Sequence, residues 1–396
     1  MRFTSGVSDA VQAEQAVAHA SASVLKQLGE DRCDLACLFA SPIYRADWPE
    51  IIALVHERLH PSVLIGCSAS GVIGADKELE WVPALSLVGA SLPGVAYHPF
   101  VVHPDELEQS GPGGFWIDKV GASPEERPVF ILLADAYTCD AGKLLTELNA
   151  TYPHRPIVGG LVSGGHEPGE HLLFAGADVI REGAVGLAMT GNIELDTIVS
   201  QGCRPFGRSY VITKAEEHIV WELGGRPALD VLREALVGLS PSDQALAQQA
   251  IFAGVVINEM KVGFQPGDFV VRQLVGIDPP SGAIAVGEQM QVGQTIQFHL
   301  RDPEASQQDL RRLLEARGPA FQAAPPAGAL FFNCTGRGKS FYGKAHQDTK
   351  TIRGFHATVP MGGFFCNGEI GPIGGTNWLH GYTASVGFFR PTRGAA

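Results

Sequence analysis

Charge is sparse in this chain and long apolar runs are missing. Asp, Glu, Lys and Arg make up only 18% of the 396 residues. Nowhere do ~18 apolar residues follow one another, so no segment reads as a membrane-spanning helix. The first residues, MRFTSGVSDAVQAEQAVAHA, lack the unbroken apolar stretch of a secretory signal, which makes the cytoplasm the expected compartment. No Cys-x-x-Cys pair occurs. The seven cysteines, at 33, 37, 67, 139, 203, 334 and 366, are an odd, scattered set that suits reduced thiols rather than a disulfide framework or a metal cluster. Basic residues are outnumbered, 29 against 42 acidic ones, and the net charge of -13 repels phosphate polymers and acidic bilayers. Neither nucleic acid nor membrane is an expected partner. The 48 glycines and 26 prolines follow no period of three, which excludes collagen and implies many tight turns.

What is present is a globular composition, 45% hydrophobic, in a chain long enough for two or three domains. Its strongest feature is internal. Leu35 to Gly71 maps onto Val129 to Gly165 at a constant offset of 94 residues, LACLFASPIY matching VFILLADAYT. Each copy reads as a buried strand, a helix, a second strand (VLIG or IVGG), a G-x-x-x-x-G turn (Gly66 to Gly71, Gly160 to Gly165) and a hairpin. A weaker third copy runs through ALFF, NCTGRG and GFFCNG, which repeats the spacing at Gly363 to Gly368. The pattern predicts an α+β fold of mixed β-sheets covered by helices, built from related strand-helix-strand-hairpin units in two domains. The expected divisions are a helical segment 1–28, a domain 29–205 holding two copies, and a domain 206–396.

Several motifs invite chemistry, and each has a plainer explanation. Glycines at strand ends permit close ligand approach, or only tight turns. Asn333 to Ser340, NCTGRGKS, is reminiscent of a phosphate-binding loop but lacks its first glycine; it suits recognition of a small anion by the Arg337 guanidinium instead. His56-Glu57-Arg58-Leu59-His60 matches the zinc pattern H-E-x-x-H, yet Pro61 makes His60 the last residue of its helix. Cysteines at turns either pack strand ends or, with a suitable base, act as nucleophiles; Cys334 as nucleophile with His380 as base is the pair that a hydrolase or transferase of acyl or amide substrates would need. The segment from Gly363 to Phe389 joins Asn367, Glu369, His380, Tyr382 and Thr383 to glycine turns, a set able to hold an amino-acid-like ligand.

The C-terminal motifs Cys334-Thr335-Gly336-Arg337-Gly338, Phe365-Cys366-Asn367-Gly368-Glu369-Ile370-Gly371 and His380-Gly381-Tyr382-Thr383, with the joint Gln201-Gly202-Cys203-Arg204-Pro205, resemble those of the FIST family over nearly the whole chain. The resemblance implies a non-catalytic, cytoplasmic sensory module of two domains that binds a small ligand such as an amino acid and signals to a separate effector. Some bacterial members are haem-binding, nitric-oxide-responsive proteins that act on a histidine kinase; here haem would need an axial histidine, for which His380 is the candidate. The expected ligand site is Gly66, Cys67, Ser68, Gly160, Ser163, Gly164, Cys203, Arg204, Asn333, Cys334, Arg337, Gly338, Asn367, Gly368, Glu369, His380 and Thr383, with no catalytic residue and no metal.

Overall fold

The computed structural model describes residues 1–261 and 263–392. The chain forms two compact units, one of residues 1–200 with 310–396 and one of residues 201–309.

The first unit opens with β1 (Arg2–Ser8), α1 (Ala13–Leu28), β2 (Leu35–Ala40), α2 (Trp48–Leu59), β3 (Val63–Ser68), the hairpin β4 (Gly71–Gly74) and β5 (Lys77–Glu80), and β6 (Leu85–Ser91). The order then recurs as β7 (Val95–Val102), α3 (Pro104–Gln109), α4 (Gly114–Val120), β8 (Val129–Ala134), α5 (Ala141–Thr151), β9 (Ile157–Leu161), the hairpin β10 (Leu173–Ala175) and β11 (Asp178–Ile180), and β12 (Ala184–Gly191). After β13 (Glu194–Ser200) comes the second unit: β14 (Cys203–Glu216), β15 (Ile219–Leu223), β16 (Arg226–Pro227), α6 (Ala228–Val237), α7 (Pro241–Ala247), β17 (Ile251–Val256), β18 (Phe269–Asp278), β19 (Ala283–Val286) and β20 (Thr295–Arg301). Helix α8 (Pro303–Ala323) leads back to the first unit, which finishes with β21 (Gly328–Cys334), α9 (Lys339–Tyr342), α10 (Gln347–Phe355), β22 (Met361–Cys366), the hairpin β23 (Gly368–Ile373) and β24 (Thr376–His380), and β25 (Ala384–Arg390).

Local chemistry explains these elements. Helix α1 buries Ala13, Ala16, Val17, Ala20, Val24 and Leu28, one face at helical spacing, and ends at Gly29 with φ 65°. Asp140 caps α5 by accepting the Lys143 N–H. Strands β2, β8 and β21 are buried along their whole length, as continuous apolar runs covered on both faces should be.

The three sheets of the first unit share one strand pattern. A parallel pair forms the centre (β2/β3, β8/β9, β21/β22) and an antiparallel strand lies against its first member (β6, β12, β25). An outer strand follows (β1, β7, β13), and a hairpin closes the other side. The hairpins are exchanged in a ring: β4–β5 completes the third sheet, β10–β11 the first and β23–β24 the second. The expected α+β class is therefore the observed one. One core joins the inner faces, with Phe39, Ile131 and Phe332 from the three central strands, while helices cover the outer faces. This exchange is why residues 310–396 compact with residues 1–200: β25 pairs with β13 and β22 with β4, across long stretches of chain.

Register refines the offset read from the sequence. Leu38 faces Gly66, Leu132 faces Gly159 and Phe331 faces Gly363, so Gly66 corresponds to Gly159, one residue before Gly160. The offset of 94 holds for the first strands and is one shorter for the second. These glycines let parallel strands approach: a Cβ would lie 1.9 Å from Leu38 O at Gly66, 1.7 Å from Leu132 O at Gly159 and 1.8 Å from Phe331 O at Gly363. Gly66→Ala is expected to cost about 3 kcal/mol by forcing the central pair apart, a loss that urea denaturation would register; an unchanged midpoint would show that the strands yield freely.

The second unit is a seven-stranded sheet, β14-β20-β17-β18-β19-β15-β16, with α6 packed on an apolar core containing Phe206, Leu232, Val255 and Phe298.

Candidate functional site

The strand-end turns of the three sheets meet. Ser163 Oγ donates to Phe365 O at 2.5 Å and accepts from Ser70 N at 2.9 Å, and Asn367 reaches Leu161 O through its backbone N–H (3.0 Å) and Val162 O through Nδ2 (3.1 Å). Packing there is tight. A Cβ at Gly160 would lie 2.4 Å from Cys366 Sγ, and one at Gly164, whose φ is 92°, 3.0 Å from Ser70 N. Cys67 is wholly buried in the shared core, Ser68 Oγ accepts from Leu172 N at 3.0 Å, and Gly368 pairs with Leu161. Gly66, Cys67, Ser68, Gly160, Ser163, Gly164 and Gly368 thus join the sheets to one another, and of this central group only Asn367 is exposed.

Around Cys334, at the end of β21, the chemistry is richer. Its Sγ accepts the N–H of Tyr382 at 3.2 Å and of Gly336 at 3.4 Å. Its thiol faces the Glu369 carboxyl. Glu369 is fully buried, and burial pushes its pKa up to about 8 despite the Thr383 N–H that donates to Oε2 at 3.0 Å, the thiol contact and the nearby Arg337 charge. Tyr382 holds φ at 59°, a conformation costly for a side chain of its size, and its N–H points at the sulfur. Thr383 Oγ1 donates to Gly381 O at 3.0 Å, and His380, paired in register with Glu369, has Nε2 2.9 Å from Gly371 O.

Arg337 lies behind this group and is itself wholly buried. Its Nε and Nη2 hold the Asp348 carboxylate at 3.0 and 2.9 Å, Nη1 donates to Ser200 O at 3.2 Å and Nη2 also to Tyr342 Oη at 2.7 Å. Burial works against its charge, but Asp348 and Tyr342 more than restore it and raise its pKa. Asn333 Nδ2 donates to Asp348 Oδ2 at 3.1 Å. The guanidinium fork expected to hold a small anion is therefore filled by a carboxylate of the same chain. Nothing in the sequence distinguishes Asp348 and Tyr342 from other helix residues. Glu78 extends the buried acids: it accepts Thr349 N at 2.7 Å, and burial, with Asp348 adding, pushes its pKa up to about 7.

The remaining motifs resolve on plainer grounds. Gly338 makes room for an acid: a Cβ would sit 2.3 Å from Glu80 Oε2, and Lys339 N donates to Glu80 Oε1 at 2.9 Å. A turn whose amide already holds a carboxylate repels phosphate, and α9 is only one turn long. In the zinc pattern, α2 ends at Leu59 and His60 caps it in left-handed geometry, φ 45°, while His56 Nε2 meets Gly176 O at 3.2 Å. Among the described residues no cluster of three His, Cys, Asp or Glu could hold a metal ion. Cys203 and Arg204 lie in the second unit, where Arg204 pairs with Asp302 at 2.6 Å and with Asp243. His380 does not fit an axial haem ligand: it is buried in β24 and its Nε2 is committed to Gly371 O.

The three-sheet pattern allows an internal comparison. Register places Asn333 where the other sheets have Ala40 and Ala134, Glu369 where they have Val72 and Leu173, and His380 where they have Leu79 and Ile180. Thr383, whose carbonyl accepts the Cys334 N–H, stands where Ala84 and Gly183 accept the N–H of Ser41 and Asp135. The scaffold closes these positions twice with small or apolar residues and once with four buried polar ones.

Comparison with known proteins agrees with the motifs. Residues 34–226 match the FIST N domain and residues 228–372 the FIST C domain. An uncharacterised protein of Mycobacterium tuberculosis is 37% identical over 393 residues, covering 98% of this chain and all of the relative, and one of Mycobacterium bovis is 37% identical with 98% and 99% covered. Among solved structures, T. maritima PurL complexed with ATP aligns over 98% of this chain and 71% of its own at 12% identity and a TM-score of 0.21, too low to carry an argument. FIST domains are small-ligand sensory domains of signal transduction. With both domain types matched in order over most of its length, the chain belongs to the FIST family.

Proposed function

We propose that this protein senses a small polar, amino-acid-like ligand at the end of the third central pair, with Cys334, Asn367, Glu369, His380 and Thr383 as the recognising group. One observation carries the reading: Asn333, Glu369, His380 and Thr383 are buried polar residues at positions filled by small or apolar ones in both equivalent sheets. Burying a carboxyl where a leucine or valine suffices twice destabilises a fold, and such a cost persists where a site needs it. The donors and acceptors at the cluster, a carboxyl, an amide, a hydroxyl and backbone N–H groups, match a ligand carrying both amino and carboxylate ends. Arg337 and Asp348 act as the rigid support behind it. The three sheets read as copies of one unit, of which one became the site. Seven free cysteines fit a reducing cytoplasm. The output is contact with a separate effector, a histidine kinase being the class the family resemblance suggests.

A thermal-shift screen of amino acids and related metabolites on the whole chain, followed by titration of the hits, tests this. Glu369→Gln and Thr383→Ala are each expected to weaken binding by about tenfold or more, while Ser242→Ala in the second unit leaves it unchanged. Equal affinity in both site variants would move the ligand elsewhere.

A further inference from the structure

Cys334 differs from the chain's other buried thiols in what surrounds its sulfur. Burial pushes Cys33 up to about 11 and Cys139 up to about 12, and it raises Cys37, Cys67 and Cys366 as well. Those thiols are inert packing groups. Cys334 instead receives two backbone N–H groups on Sγ, from Gly336 and Tyr382, an arrangement that stabilises negative charge on sulfur. Beside it stands Glu369, fully buried, whose Oε1 makes no hydrogen bond among the described residues and whose carboxyl is influenced by the Cys334 thiol. Burial raises the Glu369 carboxyl far above the ordinary glutamate range, so its ionised form is a stronger base toward a neighbouring thiol than a solvated carboxylate is. Cys334 as a residue is 6% exposed, and it lies beside the partly exposed Thr335, Gly336 and Tyr382.

We propose that Cys334 captures a small aldehyde or 2-oxo acid as a reversible thiohemiacetal or thiohemiketal, so that the site also takes electrophilic carbonyl compounds related to amino acids by a carbonyl in place of the amino-bearing carbon. The inference rests on the site reading above. In the fraction of molecules whose Glu369 is ionised, a fraction that grows as pH rises toward 8, the carboxylate takes the thiol proton, and a sulfur lone pair forms the S–C bond to the carbonyl carbon. The C=O π pair moves onto oxygen, which takes the proton back from Glu369. Nothing leaves, no oxidant or reductant enters, and the reverse sequence releases the ligand. The two amides serve the thiolate that exists between the proton transfers.

The test uses the full chain with carbonyl-¹³C acetaldehyde and carbonyl-¹³C pyruvate. Wild-type protein is expected to give a protein-bound resonance of tetrahedral carbon with one probe or the other, retained in Cys203→Ser and lost in Cys334→Ser. Excess of that probe should slow alkylation of Cys334 by iodoacetamide, read by peptide mass spectrometry, and Glu369→Gln should slow the same alkylation about tenfold or more. Absence of the tetrahedral signal from wild-type protein with both probes overturns the proposal without reference to any variant, as does its survival in Cys334→Ser. Ligands whose affinity falls in Glu369→Gln and Thr383→Ala but that give no covalent signal would leave the site reading standing and remove the covalent step. A covalent signal beside metabolite binding that ignores both variants would do the reverse.

Discussion

Arg337→Met is expected to cost the fold about 4 kcal/mol, because it strips a buried carboxylate of the one cationic partner that, among the described residues, lies within hydrogen-bond reach. Asp348 is wholly buried and receives the guanidinium through two bonds, with Tyr342 Oη and Asn333 Nδ2 as its remaining donors. Two neutral donors do not balance a charge in that environment. Urea denaturation of the whole chain measures the loss, and Arg337→Met combined with Asp348→Asn should recover most of it, since no unpaired charge is then left inside. A single substitution costing less than about 1 kcal/mol would mean that water reaches Asp348 and that the pair is not the rigid support described.

The second large effect is on pH dependence. Glu369 holds its proton up to about pH 8 in the folded chain, whereas an unfolded glutamate loses it near 4.3. Between those values the folded state binds more protons than the unfolded one, so stability falls as pH rises through the window and levels off above it. Glu78, raised to about 7, adds a slope of the same sign. Asp135 and Asp302 have pKa values lowered by hydrogen bonds that outweigh burial, and their stabilisation is lost only as pH falls below about 4, outside this window. Glu369→Gln keeps an oxygen for Thr383 N–H and removes the titration. The variant is expected to melt with a flatter pH profile from 5 to 8 and to gain about 4 to 5 kcal/mol on the wild type by pH 8. Parallel wild-type and variant profiles would show that Glu369 is ionised throughout.

Both effects come from residues of unequal visibility in the chain. Cys334, Glu369, His380 and Thr383 stood out because glycines and polar groups are dense around them, and the fold brings Cys334, Glu369 and Thr383 together. Arg337 stood out too, but the carboxylate that holds it, eleven residues on, lies in an ordinary amphipathic helix. No local pattern tells an acid that will be buried from one that will be solvated. The glycines were conspicuous for the right places and another purpose: at Gly66 and Gly363 the space is taken by a neighbouring carbonyl, and at Gly160 by Cys366. Residues 310–396, which carry the third copy, compact with residues 1–200, which carry the first two.

The division has a physical basis. Hydrophobic period, helix ends and turn residues depend on neighbours along the chain, so the strand-helix-strand-hairpin order, the α+β class and the polar cluster after β21 could be read directly. Strand partners are chosen by shape and hydrogen bonding between segments far apart, as when β4 joins β22 across nearly three hundred residues. That choice exchanged the hairpins around the ring, shifted the register by one residue, placed Asp348 behind Arg337 and set Glu369 against a thiol, all consequences of burial that no stretch of sequence carries alone.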